Sequence, residues 1–112
     1  MRIAVPVSNG RLFSHFGHCE AFDLFDIAPD GKSIASRRSI TPPPHEPGIL
    51  PPWLAKQGAT LILAGGMGAR AVELFQANGV KVVLGVPEDD AKALVERYLA
   101  GDLSTGSNAC DH

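Results

Sequence analysis

Two rhythms of apolar and polar residues divide the chain. Residues 3–7, Ile3-Ala4-Val5-Pro6-Val7, form a β-branched run ending at Ser8-Asn9-Gly10 and predict a central strand closed by a turn. Residues 21–27 repeat the strand pattern, Pro29-Asp30-Gly31 suits a hairpin turn, and residues 33–40 supply a third strand. This is an antiparallel meander. With Ser33, Ser36, Arg37, Arg38 and Ser39, the third strand is too polar to be buried on both faces, so it belongs at an edge, where its arginines discourage further pairing.

The second half changes period. Thr41-Pro42-Pro43-Pro44-His45-Glu46-Pro47-Gly48 can be neither helix nor central strand, because successive prolines remove amide donors and fix φ. Pro51 or Pro52 then opens a short helix through Trp53, Leu54 and Lys56 that stops at Gly58. A strand over residues 60–64, a Gly65-Gly66-Met67-Gly68 turn, a helix with Ala71, Leu74 and Phe75 on one stripe, and a strand over residues 80–84 make a βαβ unit. The last helix buries Ala91, Leu94, Val95, Tyr98 and Leu99 and stops at Gly101. Glu88, Asp89 and Asp90 lie at its positive end, and the helix dipole accounts for them. Antiparallel strands followed by strand-helix alternation predict a mixed sheet with helices packed on it, an α/β domain over residues 1–100. Residues 101–112 have no periodicity and are expected to form a flexible tail carrying Cys-x-His.

Composition narrows the function. A chain of 112 residues is one domain, and area scaling buries about 65% of its unfolded surface, enough for a core without staples. Ten Lys and Arg against twelve Asp and Glu leave a charge of −2, with no basic stretch beyond Arg37-Arg38, so nucleic acid is not an expected partner. The longest apolar run, residues 60–67, falls far short of the ~20 residues of a membrane span. No secretory signal opens the chain, so a cytoplasmic address is expected, with Cys19 and Cys110 as free thiols.

Two imidazoles and a thiol, His15, His18 and Cys19, occupy the loop after the first strand. One helical turn there would project them from one side at i, i+3 and i+4, as shared metal ligation requires. The plainer alternative makes Cys19 a small hydrophobe near Phe22, with histidines that satisfy turn carbonyls. Cys110-Asp111-His112 adds a second thiol and imidazole, on a tail whose twelve residues reach ~40 Å when extended. His45 sits in the rigid connector, where ligation would cost little entropy; a plain surface residue is the equal alternative. Gly65-Gly66-Met67-Gly68 with Arg70 lies between strand and helix, where bare amides and the dipole favour an anion; the competing role of these glycines is close helix-sheet packing. Enzyme signatures are weak. Gly-x-Ser-x-Gly and Walker motifs are absent, C-x-x-C spacing is absent, and Asp23 and Asp26 point to opposite faces of one strand. A Cys19 nucleophile paired with His15 or His18 lacks an orienting third group.

The stretch Ser14-His15-Phe16-Gly17-His18-Cys19-Glu20-Ala21-Phe22, His45-Glu46-Pro47-Gly48, Gly65-Gly66-Met67-Gly68 with Ala71, and the closing Cys110-Asp111-His112 together resemble the dinitrogenase iron-molybdenum cofactor biosynthesis family. The resemblance implies a ribonuclease-H-like three-layer domain with a mixed five-stranded sheet. It also implies non-enzymatic binding or carriage of an iron-sulfur, iron-molybdenum or related thiometallate cluster, passed between donor and recipient proteins. His15, Phe16, Gly17 and Cys19 would face the cluster and the Gly-rich turn would line the same cleft. Many members lack the terminal Cys-x-His. One chain cannot supply the Cys₄ set typical of an iron-sulfur cluster, which leaves mixed Cys and His ligation, a cluster shared across a dimer, or an anionic thiometallate held by amides, Arg70 and dispersion; mixed, exchangeable ligation is the favoured expectation. Zinc on Cys19, His18, Cys110 and His112 is a competing expectation, as is a small-anion or nucleotide-binding regulatory module using the Gly-rich turn.

Overall fold

A computed structural model describes residues 1–15, 18–44, 46 and 48–106. The elements in chain order are β1 (Arg2–Ser8), β2 (Arg11–Leu12), β3 (Ala21–Ile27), β4 (Ile34–Ile40), α1 (Leu50–Lys56), β5 (Leu61–Leu63), α2 (Ala69–Ala77), β6 (Lys81–Val83) and α3 (Ala91–Ala100). The sheet runs β4-β3-β1-β5-β6, with β2 paired to β1 off this path. β1 is antiparallel to β3 and parallel to β5, and β5 is parallel to β6. β1 is thus central and the arginine-bearing β4 lies at an edge, as its polarity predicts.

The sheet has six strands rather than five. Asn9 and Gly10 both adopt positive φ, 54° and 77°, and join the Ser8↔Arg11 pair as a two-residue hairpin turn. The resulting β2 is too short to show a period. Pro6 explains where it fits. The β1–β5 ladder occupies Ile3 and Ala4 and stops before Pro6, which has no amide to donate; beyond it the chain after β2 takes the vacated edge, Phe13 N donating to Pro6 O at 2.8 Å.

Alternation along β1 divides the core. Ile3, Val5 and Val7 pack with Phe25, Leu61 and Leu63 under Ala91, Leu94 and Val95 of α3. On the other face Ala4, Phe22, Leu24 and Ile62 pack under Leu50 and Leu54 of α1 and Phe75 of α2. The layers are helix, sheet, helix. β4 is fixed by the buried Asp23 carboxylate, which accepts from Arg37 Nε at 3.0 Å and from the Ser39 hydroxyl, while the Arg37 guanidinium lies 4.8 Å from the Phe25 ring centroid.

The acids before α3 do more than complement a dipole. Asp90 is the N-cap, its carboxylate accepting from Ala93 N at 3.0 Å. Glu88 and Asp89 instead bind the β2 segment: Asp89 O accepts from Leu12 N at 2.9 Å, Glu88 O from Arg11 Nη2 at 2.8 Å, and Glu88 Oε2 from Ser14 N at 3.2 Å. After α3, Gly101 ends the helix in the left-handed region, Leu103 packs against the α3-side core, and Gly106 N donates to Gly85 O at 2.7 Å. No helix among the described residues is long and apolar enough to cross a membrane.

Candidate metal-cluster site

The site lies at the end of the sheet where β1 and β5 finish. Beyond the hairpin the 13–15 segment runs beside the β5–α2 turn, and His15 forms a parallel bridge with Gly66. Here the need for glycine is steric: a Cβ at Gly65 would lie 3.2 Å from both Cα and Cβ of Ser14. Gly65 and Gly66 are buried, and a side chain at Gly65 would force the Ser14 backbone to give by a few tenths of an ångström, so the two motifs meet in a close backbone contact. Packing and candidate chemistry coincide in these glycines.

The loop closes one turn, with His18 N donating to His15 O at 2.9 Å. Both histidines are exposed, and the His15 ring stands edge-on to Phe13 at 6.0 Å. Cys19 goes the other way, half-buried against the core cluster that contains Phe22 and Met67. Burial pushes its thiol up to about 11, with backbone groups of Cys19, Val7 and Ala21 pulling weakly downward. Cys19 is therefore a protonated thiol in this state. Among the described residues no group of three His, Cys, Asp or Glu side chains is placed to hold a metal ion.

Across the bridge, Met67 is buried in the same cluster as the Cys19 packing site, whereas Gly68 and Arg70 are exposed. Gly68 is the N-cap of α2 and provides no side-chain cap, so the first-turn amides of the helix open beside His15 and Gly66. His45, Cys110 and His112 lie outside the described residues, as do Phe16 and Gly17. One contributor has no motif to announce it. Glu88 holds the Ser14 amide from 74 positions away, and only its place before α3 hints at such a role. The strand carboxylates are engaged elsewhere: Asp26 pairs with Arg2 and accepts from Ser36 Oγ at 3.1 Å, and the Arg2 guanidinium holds its carboxyl below the usual range.

The sequence matches the family described as dinitrogenase iron-molybdenum cofactor over residues 1–101. The chain belongs to this family. An uncharacterized protein of Methanocaldococcus jannaschii is 31% identical over 87 residues, covering 73% of this chain and 72% of that one. The crystal structure of the protein PH0822 superimposes with a TM-score of 0.89 at 28% identity, covering 100% of both chains. The apo form of the orange protein from Desulfovibrio gigas superimposes with a TM-score of 0.73 at 25% identity, covering 96% of this chain and 93% of that one. The family match ends at residue 101, before the terminal Cys-x-His. Dinitrogenase-cofactor family membership thus covers the bridged loop and turn but not the second thiol.

Proposed function

We propose that this protein binds and carries an iron-sulfur, iron-molybdenum or related thiometallate cluster at the bridged end of the sheet, without catalysing a reaction of its own. The observation that carries the reading is the His15↔Gly66 bridge, which joins the loop bearing His15, His18 and Cys19 to the uncapped start of α2. Membership of a family described by the iron-molybdenum cofactor supports it, as does likeness to an orange protein that has an apo form.

The donors suit an exchangeable, anionic guest better than a closed zinc site. Amides at a helix start and exposed Arg70 favour negative charge, which a sulfide-rich cluster carries and a zinc ion does not. Cys19, protonated until a metal displaces its proton, supplies a thiolate only when cargo arrives. Cys110 and His112 complete a mixed ligand set, His45 is a further candidate, and incomplete coordination by one chain leaves positions for donor and recipient proteins. We place this exchange in the cytoplasm, where free thiols persist. We also read the architecture as ribonuclease-H-like, supported by the β4-β3-β1-β5-β6 order with β3 reversed.

Anaerobic reconstitution with ferrous iron, sulfide and molybdate, followed by visible absorption and metal analysis, tests the reading. The wild type is expected to retain colour and metal, and Cys19→Ser with Cys110→Ser to lose both. Full retention in that double variant removes thiolate ligation. A colourless zinc complex, or tight nucleotide binding with no chromophore, contradicts the carrier reading.

A further inference from the structure

The two edges of the sheet differ. β6 offers three residues, Lys81–Val83, and the chain then turns at Gly85, whereas β4 runs for seven, Ile34–Ile40, with Ala35 through Ser39 exposed. Among the described residues no strand lies on the outer side of β4. This edge is also basic: residues 32–40 hold Lys32, Arg37 and Arg38 and no acid, on a chain whose net charge is −2. Arg37 and Ser39 bind the Asp23 carboxylate on one face of β3, and Ser36 Oγ donates to Asp26 Oδ2 at 3.1 Å on the other. Arg38, on the same face as Ser36, forms no ion pair among the described residues and reaches the Asp26 carboxylate only as a charge through space. An ordered backbone edge is left with one uncommitted guanidinium.

We propose that β4 is the docking edge for an extended acidic segment of a partner protein, which pairs with it main chain to main chain and sets a carboxylate against Arg38. Like charge bars a second copy, because full antiparallel overlap of two β4 strands sets Arg37 opposite its own counterpart. An acidic strand meets the opposite balance. Acids at alternate positions of such a segment share one face, that of Ser36 and Arg38. The docking itself does not depend on what the site end holds. One consequence does rest on the carrier reading: the Phe22↔Ile40 and Val7↔Ala21 pairs put the end of β4 at the same end of the sheet as the cargo site, and three strand spacings of about 4.8 Å set the partner strand about 14 Å from β1. A donor or recipient docked there reaches the cargo end with the residues adjoining its strand.

The test titrates the cargo-free full chain with a capped hexapeptide of alternating Glu and Val, its counterpart of alternating Lys and Val, and the glutamyl peptide N-methylated throughout, reading affinity and the hydrogen exchange of residues 34–40. The wild type is expected to prefer the glutamyl peptide, which slows exchange of alternate β4 amides, those not already bonded to β3. The N-methylated form keeps the charge, loses every amide donor and is expected to protect none. Arg38→Glu is expected to weaken the glutamyl peptide about three- to tenfold and to favour the lysyl one, while Arg38→Lys keeps most of the affinity and Lys81→Glu, on the other edge, changes nothing. Equal binding of the two charged peptides, equal binding of the N-methylated form, binding without protection of β4, or no binding at millimolar peptide overturns the proposal and leaves the carrier reading standing. So does tighter binding of an oligothymidylate than of the glutamyl peptide, which assigns the stripe to nucleic acid. A chain that takes up no colour on reconstitution yet shows the β4 protection overturns the carrier reading alone.

Discussion

The two ends of the central strand are built differently. At its start, side chains satisfy one another: Arg2 binds the Asp26 carboxylate and the Gln57 carbonyl, and Thr60 Oγ1 accepts from Arg2 N at 3.1 Å. Met1, Arg2, Asp26, Ile27, Gly58 and Thr60 line a cavity of about 350 Å³ there, but its charges cancel in an ion pair. At the other end most joints are backbone, Phe13 on Pro6, His15 on Gly66, Gly85 on Gly65 and Gly106 on Gly85, with the Glu88 carboxylate also holding Ser14 N. Glycine backbones hold that end together and leave exposed imidazoles, Arg70 and an uncapped helix start facing outward. A concavity whose polar groups are spent on each other has little to offer a ligand. The other end, joined largely backbone to backbone, keeps exposed His15 and Arg70 for one.

The comparison can be broken from either side. The largest effect is expected from Cys19→Ser, which should reduce cargo affinity beyond the about 10- to 100-fold that loss of a supporting group costs, measured by metal retention after dialysis. Next comes pH. Because Cys19 must lose a proton to bind metal, affinity should rise about tenfold per pH unit toward about 11 and flatten in Cys19→Ser, read by titration at several pH values. The same raised thiol makes a stability statement. Its contribution is complete below the ordinary thiol range and lost as pH rises through about 11, so alkaline unfolding should be later in Cys19→Ser. At the other end, Arg2→Ala should cost about 1 kcal/mol in denaturant unfolding, because the pair is part-exposed, and leave cargo retention unchanged. The smallest effect is expected from Glu88→Gln, which weakens the hold on Ser14 N and should speed cargo loss about twofold, about 0.5 kcal/mol.

Much of the frame is legible along the chain. The β-branched run at 3–7, the polar strand at 34–40 and the i, i+3, i+4 stripe of α2 each declare their burial through composition and period. β2 does not, because two residues carry no period; its signal is Asn9-Gly10, whose dipeptide favours a two-residue hairpin. The expected Glu88-Asp89-Asp90 dipole effect is local, whereas their bonds to Leu12, Arg11 and Ser14 depend on a tertiary contact that spacing does not encode. Cys19 shows the same limit at the site. Its nearness to His15 and His18 is written in the sequence, but the inward turn toward the Phe22 cluster, which keeps it protonated, arises from packing. That Gly65 and Gly66 meet the 14–15 backbone is likewise a consequence of Pro6 ending one ladder and opening the space for another.

The most direct measurement is backbone amide mapping during titration with tetrathiomolybdate, a diamagnetic thiometallate. Shifts confined to residues 14–15 and 18–19, residues 65–70, Gly85 and Gly106, with Arg2, Asp26 and Thr60 unmoved, are the predicted result. Shifts centred on Arg2, Asp26 and Thr60, or none at saturating thiometallate, would contradict the account.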